Sequence, residues 1–384
     1  MSNVLKPLYE LCNLNMGQSP KSDSYNQTGD GIPFYQGNAD FGEIFPKVRY
    51  WCNSPTKIAY EDDILISVRA PIGALNIATE ECCIGRGLAA LTAKDGISDR
   101  QYLFYALRSR VDELNSRGTG STFKAISKTI LGDIKLPAPP LNEQQKIAAI
   151  LDKTSNLIAE RKKQIANFDL LVKSRFVEMF GDPVTNPMGW GIKKLGSITK
   201  KIGSGATPSG GKESYIDCGI SLVRSMNVYN GFFKYDELAH ITEQQAKLLN
   251  NVTLQSGDVL LNITGASVAR CCIVPDDVLP ARVNQHVSII RGKPNEVNQI
   301  FLNRVLISDN YQNKLLAVGE SGGATRQAIT KQQIENMFIP FPPLPLQTRF
   351  ADFVRQTDKS KFEIQQGLEK LELQYNALMQ QYFG

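Results

Sequence analysis

The sequence predicts an α+β protein built twice over: two similar globular domains, each followed by a long helix, with the two helices paired as an antiparallel coiled coil. Three observations carry this. The stretch 137–181 recurs at 340–384 without a gap, at one offset throughout (340 − 137 = 203; 384 − 181 = 203). After its prolines, each copy carries an apolar heptad. The rest of each half breaks into short β-branched or aliphatic runs bounded by Gly, Pro, Asn and Asp.

In chain order, Leu8 is followed by Gly17, Ser19, Pro20 and Tyr25, and the same pattern returns as Leu195, Gly205, Thr207, Pro208 and Tyr215 (205 − 17 = 188). Strand-like runs at 63–68, 74–78 and 88–92 recur at 258–263, 271–274 and 287–290. Ile84-Gly85-Arg86-Gly87-Leu88 faces Val283-Asn284-Gln285-His286-Val287 (283 − 84 = 199), and Gly120, Thr122, Ala125 and Ile126 face Gly323, Thr325, Ala328 and Ile329 (328 − 125 = 203). The offset rises in small steps, so the whole chain is duplicated. Helical spacing at 99–115 and 298–316 predicts one helix leading to each proline-rich exit.

Those exits read Pro137, Pro139, Pro140, Leu141, Gln144 and Pro340, Pro342, Pro343, Leu344, Gln347. The prolines hold the chain extended, and Asn142 with Gln145 predicts an N-cap and capping box. Ile147, Leu151, Thr154, Ile158, Arg161, Ile165, Phe168, Val172, Arg175 and Met179 then step by fours and threes. The second copy runs Phe350, Val354, Thr357, Lys361, Ile364, Leu368, Leu371, Tyr375, Leu378 and Tyr382. A helix over 142–180 is about 58 Å long, too long for one small domain to cover, so each seam is expected to take the other as partner. The expected boundaries are 1–136 and 182–339 for the domains and 137–181 and 340–384 for the helices.

Composition sets limits. Hydrophobic content of 42% is ample for real cores, and no apolar run is long enough to cross a membrane. The beginning MSNVLKPLYEL has neither signal-peptide nor transit-peptide character, so a cytoplasmic location is expected. Cys82-Cys83 and Cys271-Cys272 are adjacent pairs, at non-equivalent places in the repeat, and are read as small buried side chains. A net charge of +5 permits a polyanionic partner without demonstrating one.

The order and duplication of these motifs resemble the specificity subunits of type I DNA restriction and modification systems, over nearly the whole chain. There are two departures: Leu346 stands where the first copy has Glu143, and only about seven residues precede Leu8. The resemblance implies that each domain is a target-recognition domain reading half of a split duplex DNA sequence. It implies that the helices act as a spacer and dock two methyltransferase subunits, which bind S-adenosylmethionine and methylate adenine. Restriction subunits with motor and nuclease activity, using ATP and Mg, join the same assembly. This chain itself is then expected to bind no cofactor or metal and to catalyse nothing.

The residues agree with that expectation. There is no Asn/Asp-Pro-Pro-aromatic tetrapeptide to hold a flipped adenine. The segment 205–213 misses a phosphate loop because Ala206 and Glu213 occupy required positions. Two histidines, His240 and His286, make no metal cluster or hydrolase triad.

For DNA contact, Arg and Lys suit phosphate or guanine, and Asn and Gln suit adenine. In the first domain the candidates are Gln36, Arg69, Arg86, Arg117 and Lys124. In the second they are Arg224, Gln285 and Gln327 at equivalent positions, with Arg270, Asn284 and Arg326 added. Different residues at matching positions predict an asymmetric target. The competing expectation is a protein adaptor, whose coiled coil recruits partners and whose domains bind proteins without DNA specificity.

Overall fold

The computed structural model describes residues 4–119, 124–208, 210–320 and 328–384. The chain folds as two compact units, one made of Met1–Lys163 with Gln365–Gly384 and the other of Gln164–Ile364. Each long helix therefore gives part of its length to each unit.

In the first unit a four-stranded antiparallel sheet runs Cys12–Met16, Leu88–Ala93, Ile64–Ser67, Leu75–Ile77. Both faces are buried, which is why the runs are apolar rather than alternating. Ile64, Ile66, Ala89 and Leu91 face one core, and Leu65, Leu88 and Ala90 face another. The first core is closed by the helix Arg100–Arg108 and by long-helix residues such as Leu151 and Phe383. On the other side lies a five-stranded sheet, in which Ile32–Tyr35 runs parallel to Cys82–Ile84.

The second unit repeats the plan. Its four-stranded sheet runs Thr199–Ser204, Val287–Gly292, Val259–Asn262, Cys271–Ile273, the same order as in the first unit. Val259, Leu261 and Ile290 join one core with Val172, Phe176, Phe180, Phe350 and Val354 of the long helices. Leu260, Val287 and Ile289 face the other. Its companion sheet also contains a parallel pair, Ile220–Val223 beside Ala281–Val283. In both units a short two-stranded ladder ties the start of the domain to its proline exit: Leu5–Pro7 with Lys135–Pro137, and Ile192–Lys194 with Phe338–Pro340.

Two expectations about helices are corrected. The stretch 99–115 forms two helices, Arg100–Arg108 and Val111–Arg117, and 298–316 forms Gln299–Leu306 and Asp309–Glu320. The breaks are made by side chains that take carbonyls of the last turn. Ser109 Oγ donates to Ala106 O at 2.8 Å, and Gln312 Nε2 donates to Leu306 O at 2.7 Å.

The second correction is to the cap. The long helices span Leu141–Phe180 and Leu344–Phe383, so Asn142 lies inside the first turn and makes no capping box with Gln145. Pro140 caps instead, its carbonyl accepting from the N–H groups of Glu143 and Gln144 at 2.9 and 3.1 Å. The heptad seam has the expected face: Ile147, Ile158, Ile165, Phe168, Ile364, Leu371 and Tyr375 are half-buried, and Leu151, Val172, Phe350, Val354 and Leu368 are buried. Within the second unit Asp169 pairs with Lys361 at 2.6 Å and Phe176 meets Phe350 at 5.5 Å, so one index falls as the other rises. Within the first unit Lys162 pairs with Glu372 at 2.9 Å, while Ile147 and Tyr382 line one cavity. The helices are antiparallel in both.

Both cysteine doublets are buried, Cys82 and Cys83 in a strand of the five-stranded sheet and Cys271 and Cys272 in the edge strand of a four-stranded one. Among the described residues no helix is long and apolar enough to cross a membrane.

Candidate nucleic-acid interface

In each unit the conspicuous loops of the sequence meet at the carboxyl ends of the parallel strand pair. Gln36 directly follows the strand Ile32–Tyr35, and the turn Gly85-Arg86-Gly87 directly follows Cys82–Ile84. The Gly-x-Ser-Pro loop packs on that turn: Gly17 N–H donates to Leu88 O at 2.9 Å, and Arg86 N–H donates to Ser19 Oγ at 3.4 Å. A Cβ on Gly17 would run into the carbonyl of Gly85, so the motif needs glycine there for close backbone approach. The second copy gives the same reason, because a Cβ on Gly205 would strike the carbonyl of Val283.

The other first-domain candidates adjoin this turn. Val68 N–H donates to Gly87 O at 2.9 Å and Ala70 N–H to Lys124 O at 3.0 Å, which places Arg69 between the turn and Lys124. Thr119 exchanges main-chain hydrogen bonds with Ala125, which brings the end of Val111–Arg117 beside the same segment. All five candidates, Gln36, Arg69, Arg86, Arg117 and Lys124, are exposed. Arg117 is ion-paired with Glu113 at 2.6 Å. Among the described residues Arg69, Arg86 and Lys124 have no ion-pair partner, so their charge is free for an incoming anion.

The second unit assembles the same positions with different chemistry. Arg224 follows Ile220–Val223 and lies 5.4 Å over the ring of Tyr215, its guanidinium donating to Glu237 O. Gln285 is exposed, with its Oε1 accepting from the hydroxyl of Thr207 in the Gly-x-Thr-Pro loop. Arg270 stacks over Tyr229 at 4.4 Å. Its carbonyl accepts from Asn262 N–H at 2.8 Å, which fixes it next to the strand Val259–Asn262.

One candidate is corrected. Asn284 is only 5% exposed, and its Oδ1 accepts from His286 N–H at 3.0 Å. Its main chain links Val223 O and Gly205 N–H, so it shapes the turn. Arg326 and Gln327 lie outside the described residues.

Sequence reasoning missed His286 as a member of this group. Its Nδ1 lies 2.5 Å from Thr264 Oγ1 and its Nε2 lies 3.1 Å from Gln285 Nε2. Thr264 is the equivalent of Arg69 (69 + 195 = 264), so the signal was present in the alignment of the two halves. No group of three or more His, Cys, Asp and Glu suited to a metal occurs among the described residues.

The family described as type I restriction modification DNA specificity domain matches residues 3–167 and 187–373. A putative type I restriction enzyme MjaX specificity subunit of Methanocaldococcus jannaschii is 46% identical over 149 residues, 39% of this chain and 35% of that relative. The chain thus spans about a third of that protein's length. The EcoBI specificity subunit of Escherichia coli is 22% identical over 382 residues, covering 90% of this chain and 77% of the relative. The solved S subunit from M. genitalium superposes with a TM-score of 0.67 over 99% of this chain and 96% of its own, at 15% identity, which shows the shared fold.

Proposed function

Because this chain belongs to the type I restriction modification DNA specificity family, we propose that it binds duplex DNA, reads a bipartite asymmetric sequence, and brings partner methyltransferase and restriction subunits to it. One observation supports this most: the same loop positions converge in both units, with Gln36, Arg69 and Arg86 in one and Arg224, Thr264 and Gln285 in the other. Matching geometry with unlike side chains suits two unlike half-sequences. Arg69, Arg86 and Lys124 supply free cations for phosphate or guanine, and Gln285 supplies an amide for adenine.

In this reading the chain acts in the cytoplasm as an address without chemistry. Two methyltransferase subunits bind S-adenosylmethionine, restriction subunits bind ATP and Mg, and this chain holds no cofactor. The adaptor alternative is less well supported, since the family matched over both halves is a DNA specificity domain.

Duplex of random sequence gives the first test. A DNA-reading subunit retains weak binding whose log affinity falls linearly with log salt concentration, each neutralised phosphate adding about 0.9 to the slope. The purified chain alone is also expected to transfer no methyl group from S-adenosylmethionine. Salt-independent or absent binding, or methyl transfer by the isolated chain, contradicts the proposal.

A further inference from the structure

The turn 284–286 carries a hydrogen-bonded chain that fixes one exposed amide. Gln285 Oε1 accepts from the Thr207 hydroxyl, and Gln285 Nε2 lies 3.1 Å from His286 Nε2. With Gln285 Nε2 as donor, His286 Nε2 accepts and the imidazole proton sits on Nδ1. On that tautomer Nδ1 donates to Thr264 Oγ1, 2.5 Å away. Each contact fits the next.

Held at both ends, the amide of Gln285 keeps one N–H and one oxygen lone pair unused. Those are the two groups that pair bidentately with N7 and N6 of adenine in the major groove. At the equivalent place in the first unit stands Arg86, exposed and without an ion-pair partner among the described residues, flanked by glycine where the second unit has His286. Arginine matches O6 and N7 of guanine.

We infer that Gln285, oriented by His286 and Thr207, reads an A·T pair in the second half of the target, and that Arg86 at the equivalent position reads a G·C pair in the first. The inference rests on the DNA-reading function proposed above. His286 is a positioning residue: it touches the reading amide and need not touch the base. Orientation matters because a flipped amide presents donor and acceptor in the reverse order, which adenine does not match.

The intact chain, incubated with a duplex library carrying two randomised windows and sequenced after recovery of the bound fraction, tests this. Gln285→Arg is expected to exchange A·T for G·C at one position of one half-sequence, with a discrimination of about ten- to a hundredfold. Arg86→Gln makes the reciprocal exchange in the other half. His286→Gly installs the first unit's residue, keeps the main-chain hydrogen bonds, and is expected to lower the preference for A·T at that same position about tenfold. In every variant the untouched half-sequence stays enriched, which reports that the protein is folded. Unchanged preferences in the Gln285 and Arg86 variants overturn the assignment. A loss spread evenly over all sequences also overturns it, because that is the mark of a phosphate contact. If the wild-type chain enriches no sequence at all, the DNA-reading function itself fails and the inference falls with it.

Discussion

Gln144 holds Asp99 by its main chain: Gln144 Oε1 accepts the Asp99 N–H at 2.9 Å, at the point where the helix Arg100–Arg108 begins. Gln347 makes the same bond to Asn298 in the second unit, also at 2.9 Å. Both glutamines are buried, at 2% and 0% exposure, and both also donate to a carbonyl of the proline lead-in, Pro139 O and Pro342 O, at 2.8 Å. The glutamine of the duplicated proline motif thus clamps the start of the long helix to the start of a domain helix.

Replacing it strips the partner from three main-chain groups at Gln144 and two at Gln347, most of them part-buried, at up to about 1–3 kcal/mol each. Gln144→Ala and Gln347→Ala are each expected to destabilise the chain by at least ~2 kcal/mol in urea unfolding. Glutamate is expected to give no rescue, because its carboxylate cannot donate to the carbonyls. A loss below ~0.5 kcal/mol in both variants would show that the clamp is ornamental.

The two units also differ at one buried carboxylate. Asp258 is fully buried and receives Arg291 Nε and Nη2, both at 2.7 Å. Its counterpart Asp63 receives the hydroxyl of Thr92 at 2.6 Å, and Thr92 is the equivalent of Arg291 (92 + 199 = 291). Removing the charge at Asp258 leaves a largely buried cation unpaired, at a cost of about 3–5 kcal/mol, whereas Asp63→Asn loses a hydrogen bond worth ~1–2 kcal/mol. Asp258→Asn is therefore expected to cost more than Asp63→Asn, and Arg291→Thr, which installs the first unit's pair, less than Asp258→Asn. Equal losses at both aspartates, measured by urea unfolding, contradict this.

Much of this fold was legible because the chain states it twice. The four-stranded sheets fall within a residue or two of the runs read at 63–68, 88–92 and 258–263, since duplication separates an element from a chance pattern. What escaped depended on non-local contacts. The break at Ser109 is set by a hydroxyl on a carbonyl, and the parallel pair of Ile32–Tyr35 with Cys82–Ile84 joins segments far apart in sequence. At the interface, exposure followed from loop chemistry for Gln36, Arg69, Arg86 and Lys124. It failed for Asn284, whose polar side chain is spent on its own turn, and it passed over His286, which matters through Gln285 and Thr264.

Cysteine reactivity checks the packing independently. Burial pushes the thiols of Cys12, Cys82 and Cys272 up to about 12 and that of Cys83 up to about 11, and it raises that of Cys271 well above the ordinary thiol value. A raised value means that the thiol stays protonated, and so unreactive, at pH 8. Cys52 is also buried, and Cys218 alone of the seven is exposed. Alkylation of the folded protein at pH 8, read by mass spectrometry, is expected to modify Cys218 and to reach the other six only after unfolding. Rapid labelling of either doublet in the folded chain contradicts the sheet assignments.

On the proposed function, this chain supplies the address for a modification carried out by other subunits. Mapping methylated adenines across the genome of the source cell, with the gene for this chain intact and deleted, tests it most directly. One two-part, asymmetric motif is expected to be methylated in the first case and to lose its methylation in the second. A methylation map unchanged by the deletion would contradict it.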